Sequence, residues 1–135
     1  MPGDFFDTNV LLYIASGDAA KADRAESLLR GGGTISVQVL NELTNVALRK
    51  MGLSWEDVDR LLSLVRGLLP VEPVTVATHE TGLALARRYR LSVFDAMIAA
   101  AALLADCDRL WSEDMQHGMT IDRRLRIADP FRAAP

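Results

Sequence analysis

Between Ala96 and Ala105 the chain runs ten residues without one polar side chain. Such a run has no face for water, so as a helix it must be covered by protein on nearly every side. Ser92-Val93-Phe94-Asp95 just before it has capping-box spacing, which favours a helix start. The run is about half of the ~20 residues a membrane span requires. A central helix of one soluble domain is therefore expected, and the remaining chain must supply its cover.

That cover is written as short strands alternating with amphipathic helices. Phe5-Phe6 reads as a buried strand, with Val10 to Ile14 continuing as a turn or short helix. Ala22, Ala25, Leu28 and Leu29 recur at helical spacing in Ala19 to Arg30, which Gly31-Gly32-Gly33 stops. Thr34 to Val37 reads as a second strand, and Gln38 to Lys50 as a helix with Val39, Leu40, Leu43, Val46 and Ala47 along one side. Glu42 falls at the border of that stripe. Ser54 opens a helix carrying Val58, Leu61, Leu62, Val65 and Leu69. Val71 to Val76 is extended, and Thr78 is expected to cap a helix reaching Tyr89. Arg109-Leu110-Trp111 is a further strand, Gly118 a turn and Thr120 to Ile127 an edge strand. Fraying is expected over 130–135. This alternation predicts an α/β fold, an α/β/α sandwich with a mainly parallel central sheet, in a single domain over 1–135.

Composition narrows the function. A net charge of −3 argues against a generally basic nucleic-acid coat, although Arg87, Arg88, Arg90, Arg123, Arg124 and Arg126 could line a local rim. Cys107 is the single cysteine, so no intrachain disulfide can form and a reducing, cytoplasmic setting is expected. Met1 to Asp4 lacks the basic start of a secretory signal.

Acidic residues recur where strands end and helices begin. Asp7 directly follows the apolar Phe5-Phe6, a costly place for a carboxylate unless it is paired, hydrated or bound to a cation. Two explanations are open: a cap or turn acceptor, and a ligand. Asp114 also follows a strand, and Asp95 lies in the first turn of the central helix, where a cap acid is favoured in any case. In parallel α/β sheets, ligands bind beyond the carboxyl ends of the strands. Carboxylates gathered there repel one another unless a cation lies between them, and oxygen-only donors favour Mg²⁺ or Mn²⁺ over Zn²⁺. Metal-assisted phosphodiester hydrolysis is the matching chemistry.

FFDTNVLLY at Phe5 to Tyr13, LNEL at Leu40 to Leu43, LSVFDAMIAAAAL at Leu91 to Leu103 and RLWSEDMQHG at Arg109 to Gly118 together resemble the successive motifs of the PIN-domain ribonucleases. The resemblance is nearest to the VapC toxins of bacterial toxin–antitoxin pairs and spans essentially the whole chain. It implies that Asp7, Glu42, Asp95 and Asp114 form a catalytic, metal-binding acidic cluster, and that Thr8, Asn9 and Ser112 hold those carboxylates in place. Glu113 competes with the adjacent Asp114 for that role. The resemblance further implies an Mg²⁺- or Mn²⁺-dependent endoribonuclease acting on RNA, a cognate antitoxin that inserts a segment into the active-site groove, and a homodimer. Two other readings stand beside it: a PIN-shaped binding module without activity, and an aspartyl-nucleophile phosphatase. The phosphatase would want a second Asp two positions after Asp7, where this chain has Asn9. His79, Asp4, Asp122 and Asp129 match no motif.

Overall fold

The computed structural model describes residues 3–132. Strand β1 (Asp4–Phe6) leads through helix α1 (Thr8–Leu12) and a 3-10 turn (Tyr13–Ala15) into α2 (Ala19–Arg30). Strand β2 (Ile35–Ser36), α3 (Val37–Arg49), α4 (Trp55–Leu68), β3 (Val71–Glu72), α5 (Val76–Tyr89) and α6 (Val93–Leu104) follow. The chain then adds β4 (Arg109–Trp111), β5 (Thr120–Ile121) and β6 (Leu125–Ala128). The main sheet has the order β1-β4-β6-β5, parallel except for the β5–β6 pair. β2 and β3 form a parallel pair, joined to the main sheet by a parallel bridge between Phe5 and Thr34. The result is the expected single α/β layer fold, a mostly parallel sheet flanked by helices.

Helix α6 sits where its composition requires. Every residue from Ala96 to Leu103 is buried, and the helix packs on β2, β4 and β6 with α5 beside it. Small alanines allow that close approach, while Ile98, about 1 % exposed, contributes on the order of 1.5–3 kcal/mol through burial. Gly82 on α5 belongs to the same seam, since a Cβ there would collide with the Met97 side chain.

Gly33 does for β2 what the alanines do for α6. Its φ is +154°, and a Cβ would fall on the Phe6 ring and 2.9 Å from the Asp4 carbonyl oxygen. The close approach lets Thr34 N–H donate to Asp4 O at 2.9 Å and Thr34 O accept from Phe6 N–H at 3.2 Å. Gly33→Ala is expected to destabilise the protein by about 2 kcal/mol or more, measured by urea unfolding, because both backbone conformation and contact are violated.

Two expectations need correction. The cap of α5 is Thr75, not Thr78: the Thr75 hydroxyl accepts from Thr78 N–H at 3.2 Å, and Thr78 Oγ1 returns the bond to Thr75 N–H at 3.1 Å. Thr78 closes the box three residues into the helix. Thr120 to Ile127 is not one edge strand but a hairpin, with β5 at the edge and β6 inside the sheet. Asp122 and Arg123 turn the chain with φ of 51° and 58°, without the glycine that usually announces such a turn, and Tyr89 OH steadies it by accepting from Asp122 N–H at 2.8 Å. The described part of the tail expected to fray, 130–132, makes contacts with the body of the domain. Pro130 is buried, its carbonyl accepts from Arg24 Nε at 3.0 Å, and Phe131 packs edge-on against Tyr13. The remainder of that expectation, 133–135, lies outside the described residues.

Candidate active site

Asp7 directly follows β1, caps α1 and donates its N–H to Trp111 O at 2.9 Å, so the sheet and a helix start fix its backbone together. Only 5 % of the residue is exposed. Its carboxylate is well supplied with donors: Oδ1 accepts from Thr8 N–H at 2.7 Å, and Oδ2 from Ser112 Oγ at 2.8 Å and Asn9 Nδ2 at 3.2 Å. Ser112 follows β4, the neighbouring parallel strand, which explains how a residue so distant in sequence arrives here.

The other acids come in through the same small residues. Thr8 Oγ1 donates to Glu42 Oε2 at 2.9 Å, and Gln38, one helical turn earlier, donates to Glu42 Oε1 at 3.1 Å. Gln38 Nε2 also reaches the Phe94 carbonyl at 3.0 Å, tying α3 to the start of α6, where Asp95 stands. Asn9 Nδ2 donates to Asp114 Oδ2 at 3.2 Å, while Asn9 Oδ1 accepts from Glu113 N–H at 2.9 Å. Glu113 itself turns elsewhere, accepting from Tyr13 OH and from Lys21 Nζ, each at 2.9 Å.

Electrostatics link the four acids directly. Burial pushes the Asp7 carboxyl up to about 6, against the lowering effect of Ser112 and Thr8, and the charges of Asp95 and Glu42 push the same way. Asp95 is also raised, chiefly by burial and then by Asp114 and Glu42, with Ser92 opposing. Each of the four positions named from sequence thus shares a field with at least one other. Among the described residues, none of the four is paired with Lys, Arg or His. No group of three or more His, Cys, Asp or Glu side chains among them is drawn into metal-holding geometry. The donor set is nevertheless of the right kind for a hard divalent cation: oxygen only, several carboxylates, no competing protein cation.

A model of the PIN domain matches residues 5–118. The chain belongs to the PIN-domain family. Among solved structures, this PIN domain is similar to a toxin–antitoxin complex from Klebsiella pneumoniae, with 22 % identity over 96 % of this chain and 99 % of that one, and a TM-score of 0.73. A Mycobacterium tuberculosis VapC described as a sarcin–ricin-loop-cleaving toxin is 19 % identical over 82 % and 91 % of the two chains, with a TM-score of 0.67. A Rickettsia felis VapBC complex bound to promoter DNA is 17 % identical over 93 % and 98 %, with a TM-score of 0.66. No curated protein matches the chain significantly. At these identities the likeness shows the fold alone.

The PIN-domain site has contributors that its sequence motifs did not single out. Gln38 is found only by asking what lies four residues before Glu42 on the same helix face. Lys21 and Tyr13 bind the acid beside Asp114, and no motif rule points to Lys21. A groove of about 570 Å³ opens from Glu42 along Val37, Val93, Phe94 and Met97, with Phe94 70 % exposed.

Proposed function

We propose that this PIN domain is a metal-dependent endoribonuclease, the toxin of a toxin–antitoxin pair, hydrolysing RNA phosphodiester bonds at Asp7, Glu42, Asp95 and Asp114. The observation that supports this reading is electrostatic: Asp95 and Glu42 act on the buried Asp7, Asp114 and Glu42 act on Asp95, and among the described residues no Lys, Arg or His pairs with any of the four. Bound among them, Mg²⁺ or Mn²⁺ would supply neutralisation of the phosphodiester charge and a lowered pKa for the attacking water.

The chain's own residues do the rest. Asp7 and Asp95 supply negative charge on fixed backbone, at the end of a strand and in the first turn of a buried helix. Thr8 and Gln38 hold the two oxygens of Glu42, so that carboxylate keeps one orientation. Asn9 spans Asp7 and Asp114, and Ser112 fixes the far oxygen of Asp7. Such supporting groups are commonly worth 10–100-fold in metal affinity or activity.

Two partners belong to this reading. A cognate antitoxin segment with apolar side chains would fit along Val37, Val93 and Phe94, with a basic side chain reaching the acids. A second copy of the chain is proposed as the other partner, on the family resemblance. A cytoplasmic location suits the single buried thiol, which burial pushes up to about 11 and so leaves unreactive. No helix among the described residues is long and apolar enough to cross a membrane.

The purified protein is expected to cleave single-stranded RNA with Mg²⁺ or Mn²⁺. EDTA should stop cleavage, and excess Mn²⁺ should restore it. Cleavage that persists in EDTA would exclude the metal-dependent reading.

A further inference from the structure

Lys21 stands at an unfavourable place for a cation. It lies in the first turn of α2, where Asp18 accepts from its N–H at 3.1 Å, and the positive end of a helix dipole disfavours a positive side chain. Something must hold it there. Its Nζ donates to Glu113 Oε2 at 2.9 Å and to Tyr13 OH at 3.2 Å. It also lies 4.6 Å from the centre of the Tyr13 ring and 4.9 Å from that of Phe131. Tyr13 OH closes the set by donating to Glu113 Oε1 at 2.9 Å. Both Glu113 oxygens are therefore engaged, and the ion pair is only about a third exposed on either side.

Glu113 separates Ser112, which bonds Asp7, from Asp114, which bonds Asn9. Without the clamp, the neighbouring carboxylate could compete with Asp114 for the same donors, or add one more negative charge to a field that already raises Asp7 and Asp95. We propose that Lys21 is a positioning residue for the acidic site: with Tyr13 and Phe131 it anchors Glu113, and so fixes the 112–115 loop with Asp114 toward the Asp7 cluster. Lys21 touches neither substrate nor cluster and acts through Glu113. In its bearing on metal, this rests on the nuclease reading above.

The test compares the full chain with Lys21→Met and Lys21→Arg in two measurements. Mn²⁺ affinity is read by the paramagnetic resonance of free Mn²⁺. Lys21→Met is expected to weaken it about tenfold, as loss of a supporting group does, whereas Lys21→Arg keeps the charge and restores most of it. Amide hydrogen exchange is read at Glu113, whose N–H is held by Asn9, and at Met115, whose N–H is held by Ser112 Oγ at 3.2 Å. Both should exchange about tenfold faster in Lys21→Met while amides in α6 keep their protection.

Unchanged Mn²⁺ affinity, or unchanged exchange at those two amides, would overturn the positioning role. Equal acceleration throughout α6 would also overturn it, by showing a general loss of stability. If the wild-type chain binds no Mn²⁺, the nuclease reading falls, and the exchange measurement still decides whether Lys21 holds the loop.

Discussion

RNA cleavage by the Asp7→Asn protein is expected to fall by about 10²–10³-fold or more, corresponding to several kcal/mol of transition-state stabilisation. The variant isolates charge from shape. Asparagine caps helices about as well as aspartate, and its carbonyl can still accept from Thr8 N–H. It cannot offer a second acceptor to Ser112 and Asn9, and it carries no charge for a cation. The fold should therefore survive while the site fails, which single-turnover cleavage of a labelled RNA beside a circular dichroism spectrum would show. A rate within a few-fold of wild type would remove Asp7 from the cluster.

The same variant separates the competing readings. A PIN-shaped binding module without activity would show no cleavage to lose in the wild-type chain. The phosphatase reading needs an acid at position 9 to protonate a leaving group, and the residue there is Asn9. Its amide already donates to Asp7, Ser112 and Asp114 and has no proton to give near neutral pH.

Those bonds also explain what could be read from the sequence. The helices were legible wherever one stripe had to be buried, as in α3 and α4, or where no face was polar, as in α6. Strands of two to four residues carry too little periodicity to fix their neighbours. The split of Thr120 to Ile127 into a hairpin depended on two left-handed residues, Asp122 and Arg123, neither of which is glycine. The helix cap at Thr75 was missed because Thr78 has the same chemistry, and only the reciprocal bonds distinguish the first residue of the box from the last.

At the proposed site, Asp7, Glu42, Asp95 and Asp114 are named from the sequence because motifs mark positions in order along the chain. What holds them could be named only in part. Thr8, Asn9 and Ser112 sit inside those motifs, beside the acids. Gln38 and Lys21 do not, since their roles come from where α3 and α2 lie in space. The arrangement of Glu113 and Asp114 is the clearest instance: two adjacent acids are chemically equivalent on paper, and partners from α2 and the 3-10 turn distinguish them.

Without metal, the wild-type chain is expected to lose stability relative to Asp7→Asn as pH rises from about 4 to 7. Asp7 has its pKa raised from 3.8 to about 6 in the folded state, so between those values the native state binds more protons than the unfolded one. Stability from this group is complete below pH 3.8 and declines through pH 6. Once both states are ionised, the cost to the native chain approaches about 3 kcal/mol. Asp95, also raised, acts in the same direction in both proteins and so largely cancels in the comparison. Urea unfolding in EDTA should then find Asp7→Asn more stable by roughly 1–3 kcal/mol near pH 7.5, with the advantage gone near pH 4. A constant difference across that range would mean that the Asp7 carboxylate is not strained by burial. Mn²⁺ supplies the complementary measurement. At a hundred times its dissociation constant, a ligand of the native state adds about 2.7 kcal/mol, and this gain should appear for wild type near pH 7.5, shrink near pH 4.5 where protons compete for the carboxylates, and be largely missing from Asp7→Asn. The substitution that relieves the burial of the Asp7 charge is the one that forfeits the ion, so stability without metal and stability gained from metal should move in opposite directions.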